Sequence, residues 1–172
     1  MKTQNVVDLA WLAGIIDGEG SIFIMKQTRK DRERAFNYIL RLSVQSADRI
    51  MAFECMKLTG EGATMDAPTA KENQSNTYKW QVSGRKAANI LRDLIPFMRV
   101  KKDQAESALL FQESTKKHWK HMTPKDYQEQ EDFYYKLKQL KIDSKIGKDT
   151  YGYISANQNI KTESDIRTQH GT

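Results

Sequence analysis

Two carboxylates, Asp17 and Glu19, are the groups in this chain whose type and spacing most directly suggest chemistry. Gly18 separates them and Gly20 follows, between an apolar run ending at Ile16 and a second one beginning at Ser21. If a helix ends there, both anions lie at the negative end of its macrodipole, where they are disfavoured unless a cation accompanies them. Hard divalent ions are the natural counter-charge for such an oxygen cluster. On spacing alone, Asp17 to Gly20 is also readable as a polar turn after a core helix.

The elements that must position these groups are legible on either side. Asn5 with Asp8 three residues on resembles a capping box, and Val6 to Asp17 has no proline and only Gly14 as an internal breaker, so a helix is predicted. Ala10, Ala13, Gly14 and Gly18 fall close to one stripe, while Leu9, Trp11, Leu12, Ile15 and Ile16 cover the remaining circumference. A helix of that kind is expected to be buried all round. Its small-residue stripe lets a second backbone approach closely, and a second copy of the same helix would bring two Glu19 side chains together at a two-fold axis.

The stretch LAGIIDGEG, residues 12 to 20, resembles the signature of the LAGLIDADG homing endonucleases. It matches position for position apart from Ile for Leu at 15, Gly for Ala at 18 and Glu for Asp at 19. The resemblance implies Mg²⁺-dependent cleavage of both DNA strands, with Mn²⁺ as a substitute ion and no small-molecule cofactor. It implies metal binding by Glu19 and the carbonyl of Gly18, and a helix-end structural role for Asp17. Because the chain has one copy of the motif, it also implies a homodimer joined through Ala10, Ala13, Gly14 and Gly18.

Length and composition are compatible with this. The chain has 172 residues, 38% of them hydrophobic, enough for one core and most simply one domain over residues 1–143 with a polar tail at 144–172, extended or disordered unless bound to DNA. A net charge of +6 and an isoelectric point near 9.3 favour an anionic partner. No apolar run approaches the ~20 residues of a membrane span, and the first residues lack the charged and apolar regions of a signal peptide. The single cysteine, Cys55, lies in an apolar helical pattern and reads as core packing, which suits a reducing intracellular setting, cytoplasm or organelle.

After the motif, Ser21 to Arg29 and Phe36 to Gln45 alternate with period two. Tyr38, Leu40, Leu42 and Val44 share one face, and Asn37, Ile39, Arg41 and Ser43 the other. A helix is predicted over Ala47 to Leu58 with Ser46 as N-cap and Gly60 ending it. A weaker strand, Glu61 to Thr69, is followed by an alternating one around Tyr78, Trp80 and Val82. Helices follow at Ser83 to Ile95 and Lys102 to Glu113, the latter burying Ala105, Ala108, Leu109 and Phe111. A last helix, opened by Thr123-Pro124, is expected on the outside of the domain. The order is an α+β fold, α-β-β-α-β-β-α, with a four-stranded antiparallel sheet and the helices on its opposite face. It matches the unit of the family over about residues 5 to 115.

Further site residues follow from the resemblance. Pro96 to Ala105 is similar to the segment in which a basic residue reaches the catalytic centre, which assigns Lys101 by alignment on Pro96-Phe97 and Gln104-Ala105. A lysine there can stabilise charge developing on a phosphate. A polar residue at the end of the second strand organises the attacking water; alignment on Asp48 points to Ser46, with Gln45 adjacent. The open sheet face, carrying Met25, Gln27, Arg29, Asn37, Arg41, Ser43, Lys79 and Gln81, could read base edges in a major groove, while Lys116 and Lys117 would contact phosphates. His118 and His121 lack further ligands at metal spacing and join that basic patch. The reading is an intron-encoded type of endonuclease cutting a long pseudo-palindromic site in double-stranded DNA. The alternative is a non-cleaving nucleic-acid-binding member of the fold, an intron maturase or a transcription regulator.

Overall fold

The computed structural model describes residues 5–28, 36–67, 76–115 and 122–144. The chain divides into two compact units, Met1–Lys138 and Gln139–Thr172. Every side-chain contact discussed below lies within the first. Arg29, Lys116, Lys117, His118, His121 and most of the 144–172 tail lie outside the described residues.

Helix α1 spans Val6–Gly18, and its first turn is capped by Asn5, whose side-chain oxygen accepts from the Val7 N–H at 3.2 Å. Strands β1 (Gly20–Thr28) and β2 (Phe36–Ser46) follow, then α2 (Arg49–Thr59), β3 (Ala63–Ala67), β4 (Thr77–Ser83) and α3 (Gly84–Leu94). A 3-10 turn at Ile95–Phe97 leads to α4 (Lys102–Ser114), and a further helix, α5, runs over 124–144. The α-β-β-α-β-β-α order read from the sequence is therefore the order of the fold.

The sheet is antiparallel throughout, in the order β1-β2-β4-β3. Pairing of Ile22 with Leu42, Ile24 with Leu40 and Val44 with Trp80 puts these side chains on one face. That face is dry: Ile22, Leu40, Leu42, Val44 and Trp80 are fully buried. Helices α2, α3 and α4 cover it, contributing Cys55, Leu91, Leu94 and Phe111 to the same core. Burial of this kind stabilises by roughly 1.5–3 kcal/mol per large apolar side chain.

Several boundaries and packings differ from expectation. Ser46 does not cap α2. Asp48 does, accepting from the Ile50 N–H at 2.8 Å, while Ser46 Oγ accepts from the Asp48 N–H at 3.0 Å and shapes the turn before it. A carboxylate closer to the first orphan amides wins over a hydroxyl two residues earlier. Leu109 is only half-buried, and Gln104 and Ser107 occupy buried positions of α4 instead.

Helix α5, expected on the outside, completes the core: Leu137 is 2% exposed, Phe133 meets the Phe111 ring edge-on at 6.4 Å, and Tyr134 meets Tyr38 at 5.8 Å. Its start is as expected, with Thr123 and Asp126 bonded reciprocally around Pro124.

The largest departure concerns α1. In the single chain it is buried on one side only, by Leu12, Ala13 and Ile16. Val7, Ala10, Trp11, Gly14 and Gly18 are exposed. Ala13 therefore belongs to the core and not to the open stripe, because the α1 axis is set down on β1 and α3 with that flank inward.

Candidate active site and nucleic-acid interface

The acidic turn is positioned by the junction of α1 and β1. A Cβ on Gly20 would lie 2.6 Å from both the Cα and the carbonyl oxygen of Ile16, so only glycine lets the strand leave so close to the helix it follows. Glu19 is the C-cap residue of α1, with its N–H returned to the carbonyls of Ile15 and Ile16. Its side chain is exposed, and no hydrogen bond or ion pair holds its carboxylate among the described residues.

Asp17 behaves in the opposite way. Its Oδ2 accepts from the N–H groups of Arg99 at 2.7 Å and Val100 at 3.1 Å, and its Oδ1 from that of Lys101 at 2.9 Å. The expected helix-end role is thereby given a partner, the turn between the 3-10 segment and α4. From this turn Lys101 reaches back. Its Nζ donates to the carbonyls of Asp17 at 2.6 Å, Ile16 at 2.9 Å and Gly18 at 3.3 Å. The last turn of α1 carries no basic residue of its own, and the cation that its dipole calls for comes from Lys101.

Pairing of Gly20 with Val44 puts Glu19 and Gln45 at adjacent ends of β1 and β2. Gln45 is exposed and donates through Nε2 to Thr77 Oγ1 at 2.9 Å. Ser46, one residue on, is engaged with the Asp48 amide as described.

The strand register also settles which side chains share the uncovered face. Gln27 pairs with Asn37, Met25 with Ile39, Phe23 with Arg41, Ser43 with Gln81 and Gln45 with Lys79. All stand opposite the core set. Ser43, at 5% exposure, is shielded by its neighbours and is the least accessible of them. Arg41 is half-buried, and its Nε has no hydrogen-bond partner. A buried Arg nitrogen without a partner costs stability.

Lys26 pairs with Tyr38, on the same side of β1 as Ile22 and Ile24, and its partner is a residue that no sequence signal indicated. Its Nζ bonds Glu131 Oε1 at 2.6 Å beneath Tyr38, whose hydroxyl donates to the same oxygen at 3.0 Å, and lies 4.2 Å from the centre of the Phe36 ring. The hydrogen bond from Lys26, then that from Tyr38, holds the Glu131 carboxyl below its ordinary range, and Lys26 is raised by Glu131. Burial pushes the Cys55 thiol up to about 11, so it remains a protonated, packed thiol. Among the described residues no helix is long and apolar enough to cross a membrane.

No family model matches the chain, and no curated protein does. Solved structures do. The homing endonuclease I-CvuI, in complex with its target in the presence of Ca, aligns with a TM-score of 0.67 at 23% identity, over 79% of this chain and 85% of that one. The archaeal intron-encoded homing endonuclease I-Vdi141I, complexed with DNA, aligns with a TM-score of 0.66 at 21% identity, over 78% and 84%. The homing endonuclease I-TnaI gives 0.55 at 12% identity, over 79% and 97%. The chain has the fold of these proteins.

Proposed function

We propose, from the homing endonuclease fold of this chain, that it is a site-specific, metal-dependent DNA endonuclease acting as a homodimer, each copy supplying one Glu19 and one Lys101. The observation that carries the reading is the meeting of an unpartnered carboxylate and a fixed ammonium at one end of α1, at the margin of a polar sheet face.

The donor set fits a divalent ion shared between copies. Asp17 is committed to three main-chain N–H groups, which leaves Glu19 as the open carboxylate of the turn. The Gly18 carbonyl, held by Lys101 at a long 3.3 Å, retains a second lone pair for an ion. Among the described residues no three His, Cys, Asp or Glu side chains converge, so one copy offers too few ligands and the remainder would be a second Glu19, phosphate and water. When bound, Mg²⁺ would neutralise charge on the scissile phosphate and lower the pKa of a water.

The chain's own residues do the rest. Lys101 spends its N–H donors on carbonyls, so what it presents to a phosphate is a fixed positive charge. Gln45, at the strand end beside Glu19, is the better candidate for orienting the attacking water, since its bond to Thr77 uses Nε2 and leaves the amide oxygen as an acceptor, while Ser46 Oγ is drawn into the turn before α2. The exposed stripe of Ala10, Gly14 and Gly18 supports pairing through α1: a Cβ at Gly14 or Gly18 would meet nothing within 4 Å in the single chain, so the smallness of these residues answers to something outside it. Met25, Gln27, Asn37, Arg41, Lys79 and Gln81 would then read base edges, with Ser43 packing beneath them.

The test is conversion of a supercoiled plasmid carrying a selected site, with and without Mg²⁺. Metal-dependent linear product is expected. A gel shift with the DNA left intact would instead assign the chain to the non-cleaving binders of this fold.

A further inference from the structure

We propose that Asp17 is the positioning residue for Lys101, setting the place of its ammonium through the main chain of residues 99–101; the inference rests on the catalytic reading of Lys101 above. Three successive N–H groups converge on one carboxylate, two on Oδ2 and one on Oδ1. Successive amides turned inward form a concave anion-binding surface, and here the anion is built into α1.

Arg99 and Val100 are exposed, Val100 at 46%, so side-chain packing fixes neither. Lys101 is the N-cap residue of α4 yet makes no side-chain cap there. Its side chain goes back to α1 instead, closing a ring: Asp17 carboxylate to Lys101 N–H, Lys101 Nζ to Asp17 carbonyl. The ammonium is thereby tied to the same residue that holds its backbone, and any movement of the α1 end moves both together. An amide side chain cannot replace the carboxylate, because Asn has one acceptor oxygen and would turn an NH₂ towards one of the three N–H groups.

The experiment compares the unaltered protein with Asp17→Asn, Lys101→Met and the double variant, reading DNA affinity without metal, the single-turnover cutting rate in Mg²⁺, and by NMR the amide exchange of residues 99–101 and the Lys101 ammonium protons. Asp17→Asn should bind DNA within about twofold of the unaltered protein. It should cut more slowly by about 10²-fold, the cost of an ångström-scale misplacement. In the Lys101→Met background the same change should slow cutting by no more than about twofold, since both act on one group. The amides of 99–101 should exchange at least about tenfold faster, and the ammonium protons should be lost to water.

Full additivity of the two substitutions, or unchanged exchange at 99–101, overturns the proposal. If Asp17→Asn does not fold, Asp17→Glu keeps both acceptor oxygens one methylene further out and should show an intermediate loss of the ammonium signal; an unperturbed signal there overturns it equally. Were the unaltered protein to cut no DNA, the functional reading would fall, while the exchange and ammonium measurements would still decide whether Asp17 holds Lys101.

Discussion

Asp17 and Lys101, 84 positions apart, hold each other from both ends: the Lys101 N–H donates to the Asp17 carboxylate at 2.9 Å and the Lys101 ammonium to the Asp17 carbonyl at 2.6 Å. A cation at the C-terminus of a helix stabilises it by typically 0.3–1 kcal/mol, approaching ~2 kcal/mol where partly buried. The arrangement therefore steadies α1 while fixing a positive charge beside Glu19. The energetic gain is small and the geometric one is larger.

Glu19→Gln should fold and bind DNA but fail to cut it. The substitution keeps the shape of the side chain and removes the charge that would hold an ion, and with it several kcal/mol of transition-state stabilisation, so the rate should fall by more than about a hundredfold. Affinity without metal should stay level or rise, because one anion beside a phosphate has gone. Metal-dependent cutting at the unaltered rate would remove Glu19 from the site.

Gly18→Ser and Gly20→Ala should fail in different ways. At Gly18 the single chain has room, with nothing within 4 Å of a Cβ, so the fold should survive and the loss should appear as monomer in sedimentation velocity together with lost cutting. At Gly20 the Cβ would meet the Ile16 backbone at 2.6 Å, so the chain itself should be destabilised by roughly 1–3 kcal/mol in urea unfolding. A Gly18→Ser dimer that still cuts both strands would rule out pairing through this stripe.

Arg41→Ala should relax the preference at one base pair in each half of the target and cost roughly 1–3 kcal/mol there. The position of Arg41 on the uncovered face, paired with Phe23 and opposite the core set, is what makes it a candidate for a base contact. Competition binding against single-base variants measures it. An even weakening across all variants would make Arg41 a phosphate contact.

The Lys26–Glu131 pair predicts an acid sensitivity located at α5. Glu131 is lowered in the folded chain, so its contribution is present above the ordinary carboxylate range and is lost as pH falls through the lowered value. Lys26 is raised, and its contribution is lost only in strong alkali. Urea midpoints measured from about pH 5 down to about pH 2 should therefore decline more steeply for the unaltered chain than for Glu131→Gln. Parallel declines would mean that the pair contributes nothing to stability.

Much of this protein was determined locally. The α1 helix, its acidic end and the two faces of β1 and β2 follow from short-range periodicity and capping, and each reappears in the fold with at most a residue or two of adjustment, as where Asp48 displaces Ser46 at the start of α2. What tertiary structure alone decided are the pairings across long separations. Asp17 meets a turn more than eighty residues away, and Lys26 meets Glu131 at a separation of 105, with no spacing rule to announce either. The same holds for the inward Ala13, the shielded Ser43 and the burial of Leu137. Periodicity specifies that a residue has a face, but which neighbour covers that face depends on how helices are set down on a twisted sheet, and that is settled by packing the whole core at once.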